Sequence, residues 1–294
     1  MKIKKSLIVI LFFITIIITV KESFSQSVPL KIDNYGFLYV AVIINDSITT
    51  DFLLDTGGGM NVLSNKIYQK IKPTAKFHGY ETGFRHDGER ISGEIYEIPS
   101  ISIDKYKIQD ALIGMYAPLD EYGIDGIISL KFFEHTPFTI DFKNKTLTVE
   151  TKKSMKSIEK NSQMIPILLD IFSDYAIDMY IPLELNNSVV VNAEFDTGSG
   201  YNGFVMNPYY MSMLGLDSTN TKMQNYTTPI TKTPLHDYIG TLSSVKLKGV
   251  NSTEIVNLSS LFRENMIHQA LIGSAMFKDK AITIDIANKK MYVR

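Results

Sequence analysis

Short apolar runs rich in Val, Ile, Leu and Thr alternate with polar turn residues along most of the chain. Runs of this kind include Leu38–Ile44, Ile48–Leu54, Ile101–Ile103 and Leu147–Val149. Asn-Asp, Asp-Gly and Gly-Val-Asn steps separate such runs, and these residue types favour turns between strands. Helical spacing is confined to short stretches such as Asn61–Ile71 and Pro208–Leu214. The pattern predicts an all-β protein with a few short helices.

The first residues follow a different pattern. Three lysines precede an apolar run of 14 residues from Leu7 to Val20, which is shorter than the ~20 residues of a membrane-spanning helix. Ser23 and Ser25 then stand at the spacing that signal peptidase prefers. Residues 1–25 are therefore predicted to be a signal peptide, and the protein to be exported to the periplasm or secreted. The alternative is an uncleaved N-terminal anchor; after cleavage we expect no stable insertion in a membrane.

The rest of the chain contains an internal duplication. Residues 37–59 align with residues 178–200 without a gap, and seven of the 23 positions are identical. Residues 139–149 align with residues 283–293, and six of those 11 positions are identical. Two matched ends in the same order and at nearly the same spacing indicate two copies of one structural unit.

The duplication predicts two similar lobes. A length of 294 residues fits two domains of roughly 150 residues each. The stretch between the copies is rich in Lys, Ser and Glu and has little apolar content. We therefore predict an N-terminal lobe at 26–150, an exposed linker at 151–163 and a C-terminal lobe at 164–294.

Composition narrows the possible chemistry. The chain has no cysteine, which excludes disulfide scaffolds, thiol nucleophiles, Cys-ligated zinc, iron–sulfur clusters and a lipidated cysteine anchor. The 30 basic and 31 acidic residues leave no charge excess that would favour nucleic acid. None of the five histidines has a metal-binding spacing, so we expect neither a metal nor a cofactor; they are His78, His86, His135, His236 and His268. His78 and His86 are predicted to lie on the surface.

Each lobe has an apolar run that leads directly into Asp-Thr-Gly, at Asp55 in the first lobe and Asp196 in the second. The residues of this tripeptide also favour turns, so a single copy could be a surface turn. Two copies at equivalent positions of a duplication can instead bring both carboxylates to a shared axis. A later apolar-apolar-small element ends at Ser129 in the first lobe and Gly273 in the second, and its small residue allows close backbone approach.

In these motifs the sequence resembles the pepsin and retropepsin superfamily of aspartic proteases, and it is most similar to bacterial exported members with two retropepsin-like lobes. The resemblance covers both lobes and implies a bilobal pepsin/retropepsin-like fold with Asp55 and Asp196 as the catalytic pair. It also implies supporting roles for other residues of the motifs. These are Thr56 and Thr197 as a cross-link beneath the aspartates, Gly57 and Gly198 in tight loops, Ser199 in the second loop, and Ser129 and Gly273 in the ψ-loop packing.

The chain departs from the family pattern at two positions. Gly58 stands where a small or hydroxyl residue usually follows Asp-Thr-Gly, and Ser129 stands where glycine is usual in the first lobe. A carboxylate that loses a hydroxyl hydrogen bond is less stabilised when ionised. We therefore expect activity at a less acidic pH than in digestive pepsins.

The resemblance also implies a β-hairpin flap over the aspartates. The candidate in the first lobe is the stretch 80–96, with Tyr80 or Phe84 covering the catalytic pair. The alternative is an exposed meander hairpin with no part in binding. The corresponding stretch of the second lobe, 226–242, contains two prolines and many threonines and is expected to be an irregular loop.

The leading hypothesis is an exported aspartic endopeptidase. Two carboxylates about 3 Å apart share one proton and can activate water without a metal. Its substrates would be extended peptides or unfolded proteins, and the enzyme would act as a monomer. Two alternatives stay open: a non-catalytic peptide- or protein-binding module on the same fold, and a β-rich surface or glycan-binding protein with coincidental Asp-Thr-Gly turns.

Overall fold

A computed structural model of the protein describes residues 25–294. The predicted signal peptide, residues 1–25, lies outside the described residues except for Ser25. Within the described part of the chain, no helix is both long enough and apolar enough to cross a membrane. The described residues form two eight-stranded sheets and a third sheet to which both halves of the chain contribute.

The first eight-stranded sheet is built from strands between residues 31 and 128. Its strands are β2 (Lys31–Ile32), β3 (Leu38–Ile44), β4 (Ile48–Leu54), β5 (Val62–Leu63), β6 (Lys76–Phe84), β7 (Arg90–Ile103), β8 (Tyr106–Met115) and β9 (Gly126–Ile128). Their spatial order is β2-β3-β4-β9-β5-β8-β7-β6, and β3 also pairs with β7. β4 and β9 are parallel neighbours, so the strand that leads to Asp55 runs beside the strand that leads to Ser129.

The second eight-stranded sheet repeats this arrangement. Its strands are β13 (Leu168–Phe172), β14 (Ala176–Leu185), β15 (Val189–Phe195), β16 (Phe204–Met206), β17 (Lys222–Thr227), β18 (Pro234–Leu247), β19 (Val250–Arg263) and β20 (Ala270–Ile272). The order β13-β14-β15-β20-β16-β19-β18-β17 matches the first sheet strand for strand, and β14 also pairs with β18. The duplication seen in the sequence is therefore a duplication of topology.

A six-stranded sheet connects the lobes. It contains β1 (Gln26–Pro29), β10 (Phe138–Asp141), β11 (Thr146–Val149), β12 (Gln163–Pro166), β21 (Ala281–Asp285) and β22 (Lys290–Val293), in the order β1-β11-β10-β21-β22-β12. β10 and β21 are antiparallel at its centre and come from the second pair of repeated segments. The hydroxyl oxygens of Thr139 and Thr283, equivalent in the two copies, lie 2.7 Å apart. The pseudo-two-fold axis passes between these two residues.

Local sequence explains the matching hairpins. The three-residue turns between β3 and β4 and between β14 and β15 begin with Asn45-Asp46 and Asn186-Asn187, with φ angles from 47° to 56°. Asn and Asp tolerate this left-handed region better than other side chains, and two such residues form the type I′ turn that suits twisted strands. Alternating burial in β3 and β14 then directs one face of each hairpin into the core.

The predicted linker contains a helix. Residues 152–161 form α2 (Lys152–Asn161), and Thr151 and Ser154 cap its first turn reciprocally. Met155 and Ile158 pack against Tyr292, so one face of the helix is buried against the shared sheet. Two apolar residues three positions apart are too weak a pattern to reveal the helix in the sequence.

The remaining helical segments are short. They are α1 (Asn65–Ile71) and 3-10 turns at Ala117–Asp120, Leu130–Phe133, Thr197–Ser199, Pro208–Tyr210, Ser212–Leu214 and Ala275–Phe277. The expected helical stretch at 61–71 shrinks to α1, because Val62 and Leu63 pair in the sheet and Ser64 caps the helix. One continuous apolar core, including Phe52, Phe138, Phe195 and Phe277, joins both lobes and the shared sheet.

Candidate active site

The two Asp-Thr-Gly loops begin at equivalent points of the two lobes. β4 and β15 each end one residue before the aspartate. The amide of Asp55 donates to the carbonyl oxygen of Ile128, and the amide of Asp196 donates to that of Ile272, both at 2.9 Å. The parallel neighbour strand therefore fixes the position at which each carboxylate leaves its sheet.

A reciprocal set of hydrogen bonds joins the two loops. The amide of Thr56 donates to Oγ1 of Thr197 at 3.1 Å, and the amide of Thr197 donates to Oγ1 of Thr56 at 3.0 Å. The Thr56 hydroxyl donates across to the carbonyl oxygen of Phe195 at 2.5 Å, and the Thr197 hydroxyl to that of Leu54 at 2.7 Å. Both threonines are fully buried. Because each hydroxyl both donates and accepts across the lobe interface, the loops are held at one separation.

Glycine is required where each loop meets the opposite aspartate. A Cβ atom on Gly57 would lie 2.7 Å from Cγ of Asp196, and a Cβ atom on Gly198 would lie 2.5 Å from Cγ of Asp55. Neither distance leaves room for a side chain. Glycine at these two positions allows the carboxyl groups to approach each other.

The two carboxyl groups are within hydrogen-bonding reach of each other. Burial, the nearby charge of Asp196 and the hydrogen bond to it raise the pKa of Asp55 well above its usual range, while the amides of Gly57 and Gly198 act in the opposite direction. Two carboxyls this close share one proton at a pH where isolated carboxyls are ionised. Oδ1 of Asp196 is buried and receives no hydrogen bond from the other described residues. It is therefore positioned to accept a proton from Asp55 or from a bound donor.

The hydrogen bonds of the two aspartates are not symmetrical. Ser199 Oγ donates to Oδ2 of Asp196 at 2.5 Å, whereas Gly58, the equivalent residue, has no hydroxyl to offer Asp55. A Cβ atom on Gly58 would lie 3.2 Å from Cγ of Asp55 and 3.1 Å from Cγ2 of Ile127. The two carboxyls therefore have different donors: Asp196 accepts from a hydroxyl, whereas Asp55 accepts from the amide of Gly57 at 3.0 Å.

The small residues of the parallel strands act differently in the two lobes. A Cβ atom on Gly273 would lie 2.0 Å from the carbonyl oxygen of Gly200, so only glycine fits there. Ser129 in the first lobe is buried, and its amide donates to Oδ1 of Asn61 at 3.0 Å. The Ser129 hydroxyl also accepts from the amide of Lys131 at the start of a 3-10 turn. The first lobe thus accommodates serine by a local cap.

Both lobes carry a hairpin where a flap is expected. β6 and β7 pair from Phe84 with Arg90 down to Lys76 with Glu97, with one bulge. β17 and β18 pair regularly from Thr227 with Pro234 down to Lys222 with Ile239. The expectation of an irregular loop at 226–242 is therefore wrong: the prolines and most of the threonines lie in or beside the turn, where they do not interrupt the pairing.

The residues proposed to cover the aspartates are mostly exposed. Tyr80 and Phe84 lie on β6, and 72% of Tyr80 and 59% of Phe84 are exposed. Tyr80 packs edge-on against Phe77. The neighbouring residue Glu81 contacts the second lobe, where the hydroxyl of Tyr175 donates to its carboxylate at 2.7 Å. Because successive residues of a strand face opposite sides, Tyr80 lies on the other side of β6 from this contact.

The tip of the first-lobe hairpin contains His86, which was predicted from the sequence to lie on the surface. His86 lies within hydrogen-bonding distance of Arg263 of the second lobe, with Nε2 3.0 Å from Nη1. The charge of Asp196 also acts on His86. The two partners are 177 positions apart and belong to no motif, so only the fold reveals their contact.

A second feature that the sequence did not predict is a buried carboxyl beside the second aspartate. Glu194 precedes Asp196 by two positions on β15 and is 5% exposed; the equivalent first-lobe residue is Leu53. Nε2 of His268 lies 3.3 Å from Oε2 of Glu194. Burial and then the charges of Asp196, Asp178 and Asp55 raise the pKa of Glu194 well above its usual range. One side of the aspartate pair is therefore apolar and the other is acidic.

The comparisons with known proteins agree with this geometry. Residues 40–132, which include Asp55 and the first hairpin, match the family model described as aspartyl protease. The fold is similar to that of basic 7S globulin from soybean, with 9% identity, a TM-score of 0.51, and coverage of 92% of this chain and 94% of that chain. The fold is of the pepsin and retropepsin type. Family match and fold together support an aspartic protease.

Two further structures resemble this chain more weakly. The structure of edgp shares 9% identity at a TM-score of 0.48 and covers 92% of this chain and 94% of its own. A retropepsin-like aspartic protease from Rickettsia conorii shares 16% identity at a TM-score of 0.32 and covers 42% of this chain and 90% of its own. A search among curated proteins gave no match.

Replacing Glu194 by glutamine should stabilise the fold at neutral pH. A carboxyl whose folded-state pKa is raised stabilises the fold only below its unfolded-state pKa, and that contribution is lost as the pH rises. Urea unfolding should show Glu194→Gln to be more stable than the native chain at about pH 7.5, by on the order of 1 kcal/mol, with the difference vanishing near pH 4.5. The exposed Glu121→Gln is the matched control and should show no difference. A gain that is the same at both pH values would contradict this account.

Proposed function

We propose that the protein is an exported aspartic endopeptidase that hydrolyses peptide bonds with a water molecule activated between Asp55 and Asp196. The observation that carries the proposal is the reciprocal threonine cross-link, which holds two carboxyls against each other at the lobe interface. Such a pair performs acid–base chemistry without a metal or cofactor. Export is proposed from the lysine-rich and apolar pattern of residues 1–25 alone.

The unequal surroundings of the two aspartates suggest their roles. Asp55, whose pKa is raised, holds the shared proton, and Asp196, which accepts from Ser199, acts as the base. Asp196 removes a proton from the water as its oxygen attacks the peptide carbonyl carbon, and Asp55 gives its proton to the carbonyl oxygen. When the C–N bond breaks, Asp196 returns its proton to the leaving amine and Asp55 recovers one from a hydroxyl of the intermediate. Each carboxyl then has its starting proton state again.

The substrate is proposed to be an extended segment of peptide or unfolded protein. The hairpins β6–β7 and β17–β18 belong to different lobes and both extend toward the lobe interface. An extended chain between them could add main-chain hydrogen bonds to strand edges. Nothing in the balanced charge of the chain favours a nucleic acid, and we propose that a single chain is the active unit, since it holds both aspartates.

One observation favours a second candidate function, a non-catalytic peptide- or protein-binding module. Gly58 leaves Asp55 without the hydroxyl donor that Asp196 has in Ser199. A binding module, however, gains nothing from two adjacent, partly buried carboxyls, which cost folding free energy at neutral pH. The carboxyl pair therefore favours the enzyme.

Hydrolysis of an unfolded protein separates the two candidates. The native chain should cleave it, a pepstatin-type inhibitor should stop cleavage, and Asp55→Asn and Asp196→Asn should each lower the rate by at least about 1,000-fold, because both proton transfers need the pair. The exposed Asp279→Asn is the matched control and should retain full activity. Cleavage by either catalytic variant at the native rate would rule out the mechanism, and binding of the unfolded protein without cleavage by the native chain would favour the module.

Restoring a hydroxyl beside Asp55 should shift the pH dependence of the reaction. Gly58→Ser places a donor where Ser199 stands in the other loop and stabilises the ionised form of Asp55, so the pH–rate profile should move to lower pH by about one unit. Gly58→Ala adds the same Cβ atom without the hydroxyl and should leave the profile in place, whatever its effect on rate. A common shift in both variants would show that crowding against Ile127, and not the hydroxyl, sets the pH dependence.

A further inference from the structure

The tips of the two hairpins contact each other across the lobe interface. We call this contact the clasp; it consists of His86, Asp87 and Glu89 on the first-lobe hairpin and Tyr226, Ile230, Thr231, Asp237 and Arg263 of the second lobe. Glu81 and Tyr175 form another contact between the same hairpin and the second lobe. The charge of Asp196 acts on His86, so this bridge lies near the aspartates.

One half of the clasp resists acid. Oε1 of Glu89 accepts hydrogen bonds from the amide of Ile230 and the hydroxyl of Thr231, both at 2.9 Å, and also from the amide of Thr231. Burial acts to raise the pKa of Glu89, but these donors outweigh it and the pKa is lowered. The carboxylate therefore stays ionised, and keeps its donors, below the pH at which an ordinary glutamate is protonated.

The other half depends on a neutral histidine. Arg263 is fixed by two hydrogen bonds to Asp237, at 2.8 and 2.7 Å, and its guanidinium lies 3.5 Å from the ring centroid of Tyr226. Arginine has only donors, so the contact between its Nη1 and Nε2 of His86 requires that Nε2 accept. A protonated imidazole has no acceptor and would place a second positive charge 3.0 Å from the first.

Charges of both signs surround His86. Burial is the largest influence on its pKa and lowers it; Arg263 and Arg85 lower it further, while Asp87 and Asp196 oppose them, and the pKa is lowered overall. Asp237 and Tyr226 face the same guanidinium, and the charge of His86 acts on His268. The closed arrangement therefore disfavours the proton despite the two nearby carboxylates.

We propose that the clasp is an acid-sensitive gate: it holds the two hairpins together over the aspartates near neutral pH, and protonation of His86 releases the first-lobe hairpin. Because the gate would regulate the same site, this proposal rests on the proposed function, but opening of the gate can be measured without catalysis. An imidazole whose pKa is lower in the closed state than in the open one weakens closure as the pH falls below the open-state value, about 6.5. The gate therefore opens as the pH falls, which is the condition under which an acid protease acts.

The opening can be measured as a distance between two spin labels. The chain has no cysteine, so Phe84→Cys and Tyr209→Cys, at residues 59% and 70% exposed, provide the label sites on the first-lobe hairpin and on the second lobe. Pulsed EPR should show one short distance at about pH 7.5 and a growing population of longer distances toward about pH 5. A second pair with Tyr80→Cys in place of Phe84→Cys tests whether the label itself disturbs the turn.

Two substitutions in the labelled chain test the two halves of the clasp. His86→Gln keeps an acceptor for Arg263 but cannot titrate, so its distance should stay short at both pH values. Glu89→Gln weakens the acid-resistant half and should show longer distances already at pH 7.5. Equal pH responses in His86→Gln and the native chain, or no response in the native chain, would overturn the gate. Because the distances need no hydrolysis, either result is separate from loss of the proposed activity.

Discussion

The reciprocal hydrogen bonds between Thr56 and Thr197 are the constraint on which the site depends. Each hydroxyl accepts from the amide of the other threonine and donates to a strand carbonyl of the other lobe, so neither loop can move without breaking bonds in both lobes. The glycines that follow allow the opposite carboxyl to approach to a distance at which no side chain would fit. Two carboxyls that would repel each other when ionised are thus held together, and burial together with the nearby charge of Asp196 raises the pKa of Asp55.

The lobes share a topology but have diverged around the axis. The spatial order of the strands is the same in both eight-stranded sheets. In the shared six-stranded sheet, Thr139 contacts its equivalent residue Thr283. Near the aspartates, by contrast, equivalent positions of the two copies carry different residues: Gly58 corresponds to Ser199, and Leu53 corresponds to Glu194. These substitutions change hydrogen bonding and charge without changing the backbone. They make one carboxyl different from the other, which a reaction with one acid and one base requires.

The sequence predicts those features whose signal is local or repeated. The all-β bilobal fold and the position of each aspartate at the end of a strand follow from periodicity and from matched motifs. Helix α2 was missed because its buried face holds only Met155 and Ile158. The contact of Glu81 with Tyr175 was missed because successive residues of β6 face opposite sides, so a one-residue difference exchanges Tyr80 for Glu81. The contact of His86 with Arg263 depends on where two distant turns meet, and no pattern within either turn encodes it.

The central claim is that the lobes hold Asp55 and Asp196 so close that they share a proton. A carboxyl-carbon NMR titration of the chain labelled at aspartate, with the two signals assigned by Asp55→Asn and Asp196→Asn, tests it directly. The structure predicts that Asp55 remains protonated well above the ordinary aspartate value of about 4, and that Asp196→Asn brings its titration back toward that value. Titration of Asp55 near its ordinary value, unchanged by Asp196→Asn, would contradict the shared proton and the mechanism built on it.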